Sequence, residues 1–187
     1  MSRDTSNITL GSGRLYINDI EVGYLKGDVE FAYTREKLDF KPSGALAMVD
    51  RWIIGEAASL KASIAEFKAA NLRLAMGGGG GEINSFTGNP SYNPASFSGS
   101  ASKTYDYLTF GGGTTVTTDL AIRFEHIRPK SGKLVVIILY KAVSSSDLAL
   151  AFHDEDFNLT DVVFEGVMDT TRPAGDQMGM VIEQVTA

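Results

Sequence analysis

Two histidines, His126 and His153, and no cysteine are all the imidazole and thiol chemistry in this 187-residue chain. A Ser-His-Asp arrangement would have to take one of those two rings as its base. His126 closes an alternating apolar segment and reads as a structural side chain. His153 opens the run His-Asp-Glu-Asp at 153–156, a cluster of the kind hard cations favour. It lacks the Asp-x-Asp-x-Asp-Gly spacing and bidentate glutamate of a calcium loop, so it reads as a solvated acidic turn. Glycines cluster at 77–81 and 111–113, but a phosphate cradle sets its amides at the amino end of a helix, and 77–81 follow a helical pattern instead. Neither cluster runs into Gly-Lys-Ser/Thr, and Gly132-Lys133 is followed by Leu134, which is not a P-loop. The sequence thus offers no catalytic set, no cofactor site and no metal site, and reads as a non-enzyme.

Composition narrows the remaining classes. With 43% hydrophobic residues the chain can bury a real core, and its length fits a single domain over 1–187. Seventeen basic against twenty-three acidic residues give −6 formal charges, the wrong sign for gripping nucleic acid through phosphates. A negative surface would suit a channel along which DNA slides without sticking. The longest apolar run, residues 134–140, falls far short of the roughly 20 needed for a membrane helix. The first residues lack the apolar stretch of a signal peptide, so a soluble protein kept in a reducing cytoplasm is expected. Asn7-Ile8-Thr9 and Asn158-Leu159-Thr160 match the glycosylation pattern, which matters only after secretion; both read as chance.

The elements that would position these residues are mostly strands. Residues 14–18 and 20–25 are β-rich runs around a turn-like Asn18-Asp19, a first hairpin. Residues 28–34 alternate, with Val29, Phe31 and Tyr33 on one side and Asp28, Glu30, Ala32 and Thr34 on the other. The pattern slips at 35–37 before Leu38 and Phe40 resume it, which a bulge or an extended arm explains, and 41–44 (Lys-Pro-Ser-Gly) form the next turn. Residues 56–76 are ambiguous: Leu60, Ile64, Phe67 and Leu74 suit a helix, yet Ala58, Leu60, Ala62 and Ile64 alternate with Ser59, Lys61, Ser63 and Ala65 as in a strand. The second half, 66–76, is helical on either reading and stops at Gly77. The stretch 77–104 is rich in Gly, Ser, Asn and Pro and reads as a long surface loop without regular structure. Its Phe86, Tyr92 and Phe97 offer anchors for a neighbouring subunit or, equally, for their own domain. Strands follow at 116–127, 133–143, 157–168 and 178–185. Trp52, the single tryptophan, stands beside Ile53 and Ile54 and is expected to be buried. About eight strands and one helix make a β-sandwich or partly closed barrel with a flanking helix and extended loops the economical fold.

Three stretches together resemble the tail tube (major tail) proteins of long-tailed bacteriophages. They are residues 14–33, opening Arg-Leu-Tyr-Ile-Asn; residues 49–77, with Trp52 and a strand of small residues reaching Glu66; and residues 159–175, in which a strand ends in Asp169 before Pro173 and Gly175. The likeness covers most of the chain outside 77–104 and is one of character, not of a signature motif. It implies a tail-tube-like β-sandwich with one helix, hexameric rings, and rings stacked into a tube that conducts DNA during ejection. It also implies a strand at 56–65 and a helix at 66–76. The subunit would belong to the virion tail after assembly in the bacterial cytoplasm. Its partners would be copies of itself, a tail tip or baseplate initiator, a tape measure protein and a tail terminator, with no membrane and no cofactor.

Within that expectation, the polar side of the strands supplies candidate lumen residues: Asp28, Glu30, Thr34, Ser59, Lys61 and Ser63. Candidate contacts between subunits are Arg35, Lys37, Leu38, Phe40, Leu46, Met48, Phe86, Tyr92 and Phe97. Six copies at −6 each would carry −36 formal charges per ring. A tube of a contractile injection or type VI-like secretion system shares the same logic. A carbohydrate-binding β-sandwich is the rival from another class, with Tyr92, Phe97, Tyr105 and Tyr107 as its only aromatic group.

Overall fold

The computed structural model describes residues 13–44, 46–66, 68–76, 83–87, 104–109, 120–145 and 160–185. The chain begins with β1 (Arg14–Ile17) and β2 (Ile20–Glu21), an antiparallel hairpin. Both turn residues take positive φ, 50° at Asn18 and 63° at Asp19. A two-residue turn of this hand matches the twist of the strands it joins, and Asn and Asp tolerate it best among side-chain-bearing residues. Asn18 is also tied sideways: its amide donates to the Ala121 carbonyl and its Oδ1 accepts from the Ala121 amide, each at 2.8 Å.

Two long strands follow, β3 (Glu30–Phe40) and β4 (Asp50–Ile64), then the single helix among the described residues, α1 (Ala69–Ala75). A small hairpin, β5 (Ile83–Thr87) with β6 (Thr104–Leu108), precedes β7 (Leu120–Ile127), β8 (Leu134–Ser144), β9 (Thr160–Gly166) and β10 (Gly179–Glu183). The main sheet has eight strands in the order β2-β1-β7-β8-β9-β4-β3, with β10 also on β8. Every pairing is antiparallel. One edge of β8 carries β7; the other carries β10 along Val135–Leu139 and β9 along Ala142–Ser144, end to end.

Alternation decides which side is buried. On β7, Leu120, Ile122, Phe124 and His126 are buried while Ala121 and Ile127 are exposed. On β4, Ala58, Leu60, Ala62 and Ile64 are buried and Ser59, Lys61 and Ser63 are not. The apolar ones among these side chains join Leu15, Ile17, Leu139, Ala142, Val162 and Phe164 in one core cluster. Because β1 and β4 lie far apart in the strand order yet share that core, the sheet coils over on itself. It does not close into a barrel. A lone bridge between Leu25 and Ile64 approaches closure, but no ladder joins β2 to β3. The crossing segment is pinned at Gly23, where φ is +87° and a Cβ would stand 1.7 Å from Glu66 Oε2. Asn71 of α1 donates to the Val22 carbonyl at 2.7 Å and Leu74 rests on the core, so the helix covers this open end.

The mainly β expectation holds, with corrections. The ambiguous 56–64 is strand and the helix is shorter than 66–76, since only Ala69–Ala75 is helical. The 77–104 stretch is not wholly irregular: Ile83–Thr87 pairs with Thr104–Leu108, and Ser85 donates to Asp106 at 2.6 Å. Five residues of alternating Ile-Asn-Ser-Phe-Thr are too few to stand out among glycines and prolines, and the partner strand is distant in sequence. The second strand of the first hairpin covers only Ile20–Glu21, not 20–25, because the chain turns away at Gly23. The expected strand starts at 116–119 and 157–159 lie outside the described residues.

Phe164 is fully buried in the shared core, and deleting a buried aromatic ring leaves a cavity the backbone fills only in part. Phe164→Ala should lower unfolding free energy by about 3–5 kcal/mol in urea denaturation. Trp52→Ala, at an exposed position, should change it by no more than about 0.5 kcal/mol.

Candidate functional site

The β3–β4 hairpin leaves the body of the protein. β9 supports β4 only along Ser59–Ile64, so residues 33–40 and 50–58 continue as a two-stranded ribbon. The eight residues 50–57 alone span roughly 25 Å at the usual rise of a strand. From Tyr33 to Phe40, and over most of 50–57, this ribbon is exposed. A ribbon of two strands is marginally stable without a third layer, and this one carries unusual cargo. Leu38, Phe40, Leu46, Met48, Val49, Trp52, Ile53 and Ile54 are all exposed, Leu46 fully and Trp52 to 54%. Monomers seldom expose so many large apolar groups on one short ribbon; Leu38, Phe40 and Trp52 share one side of it, while Ile53, opposite Lys37, falls on the other. Trp52 is therefore not buried as expected: it sits beyond the last residue that the body covers, and stacks on Phe40 with ring centroids 6.1 Å apart.

A register shift organises the arm. Arg35 faces Glu56 and Glu36 faces Gly55, but Lys37 faces Ile53, so Ile54 is an extra residue, a bulge. Along β3 the apolar residues change sides. Phe31 and Tyr33 share the core side with Arg35, whereas Leu38 and Phe40 fall on the opposite side with Glu30 and Thr34. The bulge brings β4 into step, placing Trp52 across from Leu38 and Arg51 across from Asp39. Arg51 then forks onto the Asp39 carboxylate, Nε at 2.5 Å and Nη2 at 2.9 Å. That pairing holds the Asp39 carboxyl below its ordinary value. At the base of the arm, Tyr33 donates to Glu56 at 2.8 Å and Arg35 donates to the Tyr33 hydroxyl at 3.0 Å.

The candidate residues separate into two groups. Glu30, Thr34, Ser59, Lys61 and Ser63 come together on one polar side of β3 and β4, with Glu30 opposite Lys61. Asp28 is exposed in the coil just before β3. The structure adds two acids that sequence reading passed over: Asp161, which accepts a hydrogen bond from Ser63, and Glu165, opposite Ser59. The alternation of β9 was visible, but its register against β4 was not. Arg35, Lys37, Leu38, Phe40, Leu46 and Met48 all lie on the exposed arm. Phe86 is on β5, and its side chain, like Tyr92 and Phe97 entirely, lies outside the described residues.

A second apolar strip runs along β10, where Met180, Val181 and Ile182 are exposed. Only β8 pairs with β10, so its other edge is open among the described residues. The strip is anchored at both ends. Arg128, with a side chain only 9% exposed, binds Glu183 at 2.7 Å, and Gln184 and Leu134 exchange two hydrogen bonds. At the other end the 169–178 turn is laced together. Tyr140 donates to Asp176 at 2.6 Å, Arg172 binds the same carboxylate at 2.9 Å, and the Arg172 guanidinium lies 3.6 Å over the Tyr140 ring. Between β10 and the base of the arm runs a cleft of about 310 Å³ walled by Phe31, Tyr33, Ala58, Leu139, Met178 and Val181.

Among the described residues no group of three His, Cys, Asp or Glu side chains could hold a metal ion, and no helix is long and apolar enough to cross a membrane. The acidic cluster at 153–156 lies outside them. His126 is buried within β7. The features that stand out among the described residues are an apolar arm, an open strand edge and a cleft between them. No protein-family model matches the chain, and no curated protein does so significantly.

The hydrogen bond from Tyr140, aided by Arg172, lowers the Asp176 carboxyl below 3.8, and the same bond raises the Tyr140 hydroxyl above 10.0. A lowered carboxyl contributes stability that is complete above its unfolded value and lost as pH falls through the folded one. A raised phenol contributes stability present below its unfolded value and lost as pH climbs through the folded one. Asp176→Asn should therefore loosen the 169–178 turn at neutral pH, seen as faster amide exchange at 169–178. The difference from wild type should vanish as pH drops below the ordinary carboxylate range.

Proposed function

We propose that this chain is a structural subunit that assembles with copies of itself into rings stacked as a tube, the tail tube of a long-tailed bacterial virus. The observation that carries the self-assembly is the arm, a two-stranded ribbon with its tip, bearing eight large exposed apolar residues that no strand of the described body covers. The likeness of residues 14–33, 49–77 and 159–175 to tail tube proteins supplies the hexameric ring, the virion tail as location, and the initiator, tape measure and terminator as further partners. The polar side built from Glu30, Thr34, Ser59, Lys61 and Ser63, extended by Asp161 and Glu165, offers a wettable wall for a channel. Acidic groups there would keep DNA from adhering. The chain acts without catalysis or cofactor in this reading. A tube of a contractile injection or type VI-like system rests on the same surfaces, and a neighbouring sheath gene would select it.

The lone tryptophan is a built-in reporter, since Trp52 sits on the arm. As concentration rises, light scattering should show multimers, negative-stain images should show hollow rings or tubes, and tryptophan emission should shift to the blue together with the mass. Phe40→Asp should stay folded and monomeric with unshifted emission. A wild-type protein that remains a monomer with red emission at every concentration refutes the reading. Replacing Asp28 and Glu30 by lysine should leave rings intact and reduce DNA ejection; loss of rings without a DNA effect would count against the lumen assignment.

A further inference from the structure

We infer that the acceptor for the arm is the cleft beside β10 on a second copy, so that subunits join head to tail; this rests on the self-assembly reading above. The two surfaces are unlike and complementary. The arm offers a projecting stacked pair, Phe40 on Trp52, flanked by Leu38. The cleft offers a recess of about 310 Å³ with Phe31, Ala58, Leu139, Met178 and Val181 in its wall. That is the small end of the roughly 300–1,000 Å³ range of clefts that take up an apolar group, room for one or two aromatic rings. Met178 and Met180 are flexible fillers that adapt to such a guest.

The recess cannot be filled by its own arm. Tyr33, Arg35 and Glu56 at the base of the arm are part of its wall, and Asp50 lies six residues further along an extended strand, roughly 20 Å away. The apolar pair also projects from the opposite side of the ribbon, because Leu38 and Phe40 alternate with Tyr33 and Arg35. A second copy supplies the same arm free of both restraints. The open edge of β10 adds backbone groups on which an incoming strand can pair. Charge does not oppose the fit. The arm brings Asp39 bound to Arg51 and the cleft rim brings Arg35 bound to Glu56, each internally neutralised.

An interface between two different patches of one molecule is heterologous and repeats: each bound subunit presents a fresh arm and a fresh cleft. Its products are rings or filaments, whereas an arm-to-arm contact would stop at a dimer.

The absence of cysteine makes the test direct. Asp50→Cys marks the arm beside Phe40 and Trp52, and Val181→Cys marks the cleft, at a residue 60% exposed. The two variants are mixed at a concentration where scattering shows multimers, then treated with a short bismaleimide. Crosslinked dimer in the mixture at ten times or more its yield in either variant alone is the expected result. Multimers without mixed crosslink, or crosslink in Asp50→Cys alone, overturn the cleft as acceptor while leaving self-assembly standing. Monomers throughout overturn both. A second pair is independent of crosslinking: Val181→Arg blocks the cleft and Phe40→Asp blocks the arm. Each alone should stay monomeric and their mixture should stop at dimers; growth beyond dimers, or no association, contradicts the inference.

Discussion

Everything distinctive about this protein follows from how one ribbon is registered. With strict pairing beyond Glu36, Trp52 would face Asp39 and Arg51 would face Phe40. The extra Ile54 instead brings charge to charge and ring to ring. A one-residue slip moves side chains to the other side of a strand, so this bulge determines which side of the arm is apolar. It is the side turned away from the core. The arm thus presents this side to solvent, and cannot simply fold back as an extension of the hydrophobic interior.

The body of the molecule is arranged so that such an arm can exist. β9 and β10 lie end to end along one edge of β8, and only β9 reaches across to β4. The sheet therefore forks where β9 ends. Gly166 marks the fork, since even a Cβ there would lie 3.3 Å from the Ala58 carbonyl oxygen. Beyond it the 169–178 turn fills the gap in the chain, and its Tyr140–Asp176–Arg172 lacing sets where β10 begins. One branch becomes the arm, the other becomes the β10 edge, and the cleft is the space between them.

Much of this was legible in the residues. Period-two alternation located β3 and β7 and β-rich runs located β8, β9 and β10, which together gave the mainly β class, whereas 56–65 alternated equally well as helix or strand and only the tail-tube resemblance implied the strand. The slip at 35–37 announced the bulge one strand away from where it occurs: β3 keeps perfect alternation and changes character, while β4 carries the extra residue. Register between distant strands was not legible, since it depends on the coiling of the sheet. For that reason Asp161 and Glu165 were missed beside Ser63 and Ser59. Trp52 was misplaced for a related reason: an apolar Trp-Ile-Ile run signals burial somewhere, and sequence cannot say whether in the same chain. The short β5 went unseen because its surroundings dominate any local average.

The polar side of the sheet and the apolar arm do not bear equally on function. A wetted outer side is what any coiled sheet presents to solvent, so Glu30, Ser59 and Lys61 by themselves require no partner. Exposed apolar area carries a standing free-energy cost. Full burial of a large side chain is worth about 1.5–3 kcal/mol, so eight half-exposed ones forgo on the order of 10 kcal/mol. Bringing two proteins together costs an estimated 4–15 kcal/mol in lost freedom and ordering. A single arm contact therefore roughly balances the cost of association, which favours a free subunit that stays monomeric in dilute solution. On the proposed assembly, closing a ring would let one subunit make two contacts while losing its freedom once. The sum would then favour assembly steeply, and a preformed ring that presents several arms or clefts together would act as the seed from which further subunits are added.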